Sequence, residues 1–127
     1  MLNNAPLIGF IPTRDADTAR AFYERVLGLH FISDNAFALM FRTDHGSMLR
    51  VVRIGEFTPA AFTILGWEVT EIEEKARDLA GRGIALLRFP FLQQDDDAVW
   101  TAPGGDKVLW FKDPDGNTLS LSQHAGS

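Results

Sequence analysis

Cysteine is absent from the 127-residue sequence, and histidine occurs only three times. Without cysteine the chain has no disulfide framework, no thiolate metal site and no cysteine nucleophile. Long apolar runs are also missing, since no segment approaches the roughly 18 apolar residues that a membrane-spanning helix needs. The first residues lack the pattern of a secretory leader. The sequence therefore predicts a cytoplasmic protein with no membrane partner.

Basic side chains are outnumbered, because 12 Lys and Arg face 17 Asp and Glu, which gives a net charge of −5. No cluster of Lys or Arg is longer than a dipeptide, and nucleic-acid binding requires a basic patch or stripe. We therefore expect no nucleic-acid partner. Apolar residues are plentiful at 46% of the chain. That fraction gives a single domain of this length a sizeable core.

The same order of elements is predicted in each half of the chain from apolar periodicity and turn residues. In the first half, a strand at 7–12 precedes an amphipathic helix that is capped by Asp15 and stopped by Gly28, and three strands follow at 30–33, 37–43 and 47–54. In the second half, a strand at 62–69 precedes a helix opened by a Thr70/Glu73 capping box and stopped by Gly81 and Gly83. An extended segment at 84–91, an acidic loop at 93–97, a short strand at Trp100 and strands at 107–112 and 118–123 complete that half.

This repetition indicates an internal duplication of a βαβββ unit. We predict an α+β fold in which two tandem modules, at about residues 1–57 and 60–127, form one domain. Their eight strands would form a curved, mixed, mostly antiparallel sheet with the helices on its convex face. The concave face would remain for a ligand.

Two motifs stand out in the chain: Asp15 with Phe22-Tyr23 and Leu27-Gly28-Leu29, and the closing segment Trp110-Phe-Lys-Asp-Pro-Asp-Gly-Asn117 followed by Leu119 and Leu121. They resemble motifs of the vicinal oxygen chelate superfamily, which includes glyoxalase I, extradiol dioxygenases, fosfomycin-resistance enzymes and bleomycin-resistance proteins. The resemblance covers nearly the whole chain. It implies paired βαβββ modules, a homodimer and, in the enzymes of the family, a divalent metal that binds two vicinal substrate oxygens and acts as a Lewis acid.

The positions that carry the metal ligands in that family are Ile8, Arg50, Ile64 and Ser120 in this sequence. Isoleucine has no donor atom, and a guanidinium keeps its positive charge in proteins and repels a cation. A serine hydroxyl is a poor substitute for a carboxylate. The histidines, at 30, 45 and 124, have turn or terminal settings and none of the spacings of a ligand pair. We therefore expect no metal site and no cofactor.

Strand alternation places a mostly apolar set of side chains on the concave face. The predicted ligand-binding residues are Phe10, Met48, Arg50, Ile64, Glu68, Trp110 and Ser120. Apolar walls with a few polar groups are typical of small-molecule sites, and Gly66 would leave room for a ligand near the backbone. Two other interpretations stay open: an Arg50–Glu68 ion pair, and packing of Trp110 in the core or a dimer interface.

Three functions are compatible with this site. The first is a metal-free protein, similar to the bleomycin-resistance branch, that binds a small organic molecule with aromatic or anionic character. The second is a lyase, isomerase or dioxygenase that uses a metal at displaced ligands, or acid–base chemistry at Glu68, whose pKa burial would raise. The third is an interaction module whose dimer is the functional unit. No catalytic residue other than Glu68 is a candidate.

Overall fold

The computed structural model describes residues 1–126, in which two helical segments and eight strands form. The chain divides into two compact units, Met1–Thr58 and a second that begins at Pro59. Each unit contains one four-stranded mixed sheet. The predicted α+β class, with a βαβββ order in each half, is confirmed. The eight strands are hydrogen-bonded as two sheets of four.

The first unit carries one helix and a sheet with the strand order β1-β4-β3-β2. Its elements are β1 (Ile8–Thr13), α1 (Ala16–Ala21), β2 (His30–Asp34), β3 (Ala38–Arg42) and β4 (Met48–Arg53). Strand β1 runs parallel to β4, while the β2–β3 and β3–β4 pairs are antiparallel. A parallel pair needs a crossover, and α1 lies within the connection between β1 and β4.

Local signals set the limits of the first helix, as the sequence predicts. The Asp15 carboxylate accepts hydrogen bonds from the Thr18 backbone N–H at 3.2 Å and from the Thr18 hydroxyl at 2.8 Å. These bonds lower the pKa of Asp15. The helix continues beyond α1 as a π-helical turn over Phe22–Val26. Gly28, with φ +76°, follows it, in a conformation that residues with side chains rarely adopt.

Alternating residues of the first sheet form a core on the side of α1. The ring of Tyr23 lies 6.0 Å from that of Phe41, centroid to centroid. The large buried apolar side chains of the sheet are Ile11, Leu39, Phe41, Leu49 and Val51. The alternation along β4 therefore sends Leu49 and Val51 to the helix side and their neighbours to the opposite side.

The second unit carries a sheet with the strand order β5-β8-β7-β6. Its elements are β5 (Leu65–Glu68), α2 (Ile72–Gly81), β6 (Trp100–Thr101), β7 (Lys107–Lys112) and β8 (Thr118–Gln123). The β5–β8 pair is parallel and the others are antiparallel, which repeats the first unit. The core between α2 and this sheet consists of Ile72, Ala76, Leu79, Leu109, Phe111, Leu119 and Leu121.

The start of α2 differs from the predicted capping box. Glu71 occupies the N-cap with φ +54° and makes no side-chain cap hydrogen bond. The Ile72 N–H instead donates to Oε1 of Gln123 at 2.9 Å, and the Glu73 carboxylate accepts from Lys107 Nζ at 2.8 Å. Side chains from β8 and β7 thus provide the partners that the local motif would have provided. The hydrogen bond from Lys107 lowers the pKa of Glu73.

Two predicted strands of the second unit are shorter than expected. The strand predicted at 62–69 is confined to Leu65–Glu68. The segment 84–91, predicted to be extended, contains only an isolated bridge between Leu86 and Phe111. The Gln94 side chain forms hydrogen bonds with the Leu87 carbonyl and the Phe89 N–H of this segment. These backbone groups therefore have partners without a sheet ladder.

The close packing of Gly66 against Ser120 yields a testable prediction. A Cβ at Gly66 would lie 2.9 Å from Ser120 Oγ and 3.2 Å from the Ser120 carbonyl oxygen. The hydroxyl can rotate away, but the carbonyl belongs to β8 and is fixed by the sheet. We expect Gly66→Ala to lower the free energy of unfolding by about 1–3 kcal/mol, measured by urea denaturation.

Gly81→Ala is the matched control, because nothing lies within 4 Å of its added Cβ. That control should retain or slightly raise the wild-type stability, as alanine replaces glycine in a helix. Equal urea midpoints for wild type and Gly66→Ala would contradict this description of the β5–β8 contact.

Candidate functional site

One face of the first sheet, opposite α1, groups a cation with large apolar side chains. We call it the Arg50 face; it consists of Ile8, Phe10, Met40, Arg42, Met48, Arg50 and Val52. The backbone register places Phe10 of β1 and Met40 of β3 directly opposite Arg50 of β4. Phe10 is 59% exposed and Ile8 is 41% exposed. Such exposure of large apolar residues around a cation is typical of a binding surface rather than of a core.

Arg50 lies at the centre of this face with four apolar neighbours. Phe10 and Met40 flank it across the strands, and Met48 and Val52 flank it along β4. Its Nε atom is buried and has no hydrogen-bond partner in the part of the chain that the structure describes. The guanidinium carbon lies 5.7 Å from the centroid of the Phe10 ring, within range of a cation–π contact. A buried, unbonded donor is costly, and an anionic acceptor would satisfy it.

The sequence offers Glu68 both as an ion-pair partner of Arg50 and as a catalytic acid or base. Its carboxylate pairs instead with Nε2 of His124 at 3.1 Å. The Glu68 side chain is 72% exposed. The burial on which an acid–base role for this residue depended is therefore not present.

Ser120 and Gly66 lie side by side on the face of the second sheet that points away from α2. The register joins Gly66, Ser120 and Trp110 in one row across β5, β8 and β7. Ser120 is only 7% exposed, and its hydroxyl lies beside Gly66. The prediction that Gly66 leaves space for a ligand is wrong, because Ser120 fills that space. Ile64 precedes β5 and donates its N–H to the Thr118 carbonyl at 3.0 Å.

Trp110 belongs to a cluster of aromatic rings in the second unit. Its ring centroid lies 5.3 Å from that of Phe89, edge to face, and 6.2 Å from that of Trp100. Phe89 in turn lies 5.6 Å from Phe91, which is 78% exposed. The cluster thus extends from the sheet to the surface. The sequence predicts the Phe-Pro-Phe segment at 89–91 only as extended chain and does not indicate that its phenylalanines join Trp110.

A single amide side chain organises the loop that carries these phenylalanines. Gln94 donates from Nε2 to the carbonyls of Leu87 at 2.9 Å and Ala98 at 2.8 Å. Its Oε1 accepts from the Phe89 N–H at 2.8 Å. Arg88 adds hydrogen bonds to the backbone carbonyls of the acidic segment at 95–96. No sequence signal marks Gln94, because its partners are backbone groups brought near it by the turn.

The residues at the four metal-ligand positions of the resembled family do not fit a divalent metal. Ile8 and Arg50 lie on adjacent strands of the Arg50 face, where the cation stands in place of a carboxylate. Ser120 Oγ packs against Gly66. Within residues 1–126, no group of three or more His, Cys, Asp or Glu side chains is arranged to hold a metal ion.

Two of the three histidines, His30 and His124, have carboxylate neighbours. His30 Nε2 lies 2.7 Å from an oxygen of Asp44, and His124 Nδ1 lies 3.8 Å from an oxygen of Asp106. Both histidine side chains are more than half exposed.

Across the described residues, neither helix has the length and hydrophobicity needed to cross a bilayer.

Comparison with known proteins gives matches over nearly the whole chain. The family model of the Glyoxalase/Bleomycin resistance protein/Dioxygenase superfamily matches residues 7–121. A superfamily member from Sphaerobacter thermophilus has a similar crystal structure, with a TM-score of 0.78, 19% identity and coverage of 98% of this chain and 100% of that one. Lactoylglutathione lyase from Agrobacterium tumefaciens gives a TM-score of 0.72, 17% identity and coverage of 94% and 93%.

A third similar structure is an integron cassette protein from the mobile metagenome of Halifax Harbour Sewage Outfall. It gives a TM-score of 0.72 at 16% identity and covers 95% of this chain and 99% of its own. At such identities these likenesses establish the fold alone. No curated protein matches the chain.

The three hydrogen bonds of Gln94 predict a local effect of its removal. Gln94→Ala leaves two carbonyls and one N–H of the loop without their partner, which costs about 1–3 kcal/mol of unfolding free energy. We expect the Phe89 amide, which loses its acceptor, to exchange faster with deuterium and the near-ultraviolet signal of the tryptophans to weaken. The adjacent, exposed Gln93 gives the control Gln93→Ala, which should behave as wild type. Identical exchange in the two variants would show that Gln94 does not order the loop.

Proposed function

The chain belongs to the glyoxalase/bleomycin resistance protein/dioxygenase superfamily, and from this premise we propose that it binds a small organic acid on the Arg50 face without a metal. The family assignment agrees with the resemblance drawn from the two sequence motifs. The chemistry of the four ligand positions supports the metal-free part of the proposal, since neither isoleucine nor arginine can coordinate a cation. A homodimer and a cytoplasmic location, both expected from the sequence, are part of the same proposal.

The observation that carries this proposal is the unbonded, buried Nε of Arg50. Most buried donors in proteins have a partner, and an exception requires an explanation. A carboxylate from a ligand would accept from Nε and a terminal nitrogen together, in the bidentate geometry that guanidinium favours. The unsatisfied donor therefore destabilises the free protein, and binding of the ligand removes this destabilisation.

The surroundings of Arg50 indicate the other half of the ligand. Phe10 offers an exposed ring beside the guanidinium, and Met48 offers a flexible thioether that adapts to irregular apolar shapes. We therefore propose an aromatic or otherwise apolar body attached to the acidic group. Separately, we propose ligand contacts within the second unit alone, where the aromatic rings around Trp110 offer a stacking surface. Ile64, Glu68 and Ser120 are the further contacts proposed in that unit.

Replacing Arg50 with methionine should separate binding from stability. Arg50→Met removes the charge and keeps an apolar side chain of similar length. We expect the affinity for aromatic carboxylates to fall about 10- to 100-fold, since a hydrogen bond to a charged group contributes about 1.5–3 kcal/mol. Because an unsatisfied donor is also removed, we expect the variant to be as stable as wild type or more so. Isothermal titration with benzoate, phenylacetate, cinnamate and 4-hydroxybenzoate, together with urea denaturation, measures both effects.

Arg20→Gln is the charge-matched control. Arg20 lies on α1, pairs with Glu24 at 3.4 Å and stacks on Phe31, on the other side of the sheet. Its loss should leave binding unchanged. Saturable binding by none of the four acids, or equal affinities for wild type and Arg50→Met, would count against the proposed function.

A further inference from the structure

We propose that the ligand of the Arg50 face carries two negative charges on one end, and that Arg42 is the second cation that recognises it. This inference rests on the proposed function and narrows the ligand to organic dianions, such as phosphate monoesters and dicarboxylates. Arg42 does not belong to the residues predicted from the sequence, and the resembled family's metal positions do not include it.

The register of the sheet places the two arginines near each other. Arg42 of β3 lies directly opposite Met48 of β4, and Arg50 is two residues further along β4. Arg42 and Arg50 are therefore diagonal neighbours on one face of an antiparallel pair, about 7–8 Å apart at the backbone. Side chains as long as arginine reach a common anion from such positions.

Neither arginine has an acidic partner on this face. None of the seven residues of the Arg50 face is Asp or Glu. Within residues 1–126, the Arg42 side chain makes no hydrogen bond or ion pair. On β2, His30 lies opposite Arg42, and its Nε2 is 2.7 Å from Oδ1 of Asp44 in the turn between β3 and β4.

The contrast with other arginines of the chain makes this arrangement unusual. Four of them pair with carboxylates: Arg20 with Glu24, Arg53 with Asp34, Arg77 with Asp97 and Arg82 with Asp78. The chain has an excess of acidic residues and a net charge of −5. Even so, the Arg50 face presents two cations without a carboxylate. A charge pattern of this kind is complementary to an anion.

Two guanidinium groups at this distance repel each other, and a ligand with a single charge compensates only one of them. A doubly charged group contacts both and removes the repulsion. The half-buried Arg50 provides directional hydrogen bonds, while the exposed Arg42 is free to move towards the second charge. The phenyl ring of Phe10 then contacts the apolar part of the same molecule.

Phenyl phosphate and phenyl sulfate provide a matched pair of probes. The two molecules have nearly the same shape, but the phosphate loses its second proton near pH 6 and carries about two charges at pH 8, whereas the sulfate keeps one. We expect phenyl phosphate to bind wild-type protein about five- to tenfold more tightly than phenyl sulfate at pH 8, with screening by solvent limiting the gain. At pH 5 this ratio should approach one.

The variant Arg42→Gln identifies the second cation. It should remove most of the preference for phenyl phosphate and still bind phenyl sulfate through Arg50, which also shows that the variant is folded. The control Arg20→Gln should keep the full preference. Phthalate and benzoate test the same point with carboxylates: a gain for phthalate indicates dicarboxylates as ligands, and a gain for phenyl phosphate alone indicates phosphate monoesters.

The outcomes separate the two proposals. Equal affinities for mono- and dianions in wild type, or an unchanged preference in Arg42→Gln, would overturn the dianion inference and leave the proposed function intact. Binding of none of the four probes to wild type would overturn both.

Discussion

The alternation of side chains along β4 is the constraint on which the account of this protein depends. Leu49 and Val51 are buried against α1, and the period of two in a strand then obliges Met48, Arg50 and Val52 to occupy the opposite face. A shift of register by one residue would place the Arg50 guanidinium in the core. The fold would then lose the free energy needed to bury an unpaired charge among apolar side chains. The same packing that stabilises the first unit therefore keeps a cation on the other side of its sheet.

Arg50 connects the stability of the fold to its proposed use. A buried Nε without a partner lowers the stability of the free protein, and such local costs are common where a surface is kept ready for a ligand. Other arginines are paired within the chain: Arg53, for example, forms two hydrogen bonds with Asp34 and holds the pKa of that carboxyl at about 2. The difference between Arg53 and Arg50 is the reason for placing recognition at Arg50.

Features with local causes could be predicted from the sequence, and features with distant causes could not. The Asp15 cap, the Gly28 stop and the two faces of β4 follow from neighbouring residues, and all three are present. The Thr70/Glu73 capping box failed because Gln123, 51 residues away, supplies the acceptor for Ile72. Gly66 was interpreted as open space because its neighbour Ser120 is determined by strand pairing. Gln94 and Arg42 were overlooked since their importance arises from backbone groups and register that only the folded chain defines.

The most direct test of the central claim is to observe the Arg50 side chain itself during binding. In an NMR spectrum of the arginine Nε–Hε groups, addition of phenyl phosphate should shift the Arg50 signal along a saturable curve and slow its exchange with water, because the unbonded donor gains an acceptor. The Arg20 signal, on the helix side of the sheet, should stay in place. An Arg50 signal that does not move while the ligand saturates the protein would contradict the account.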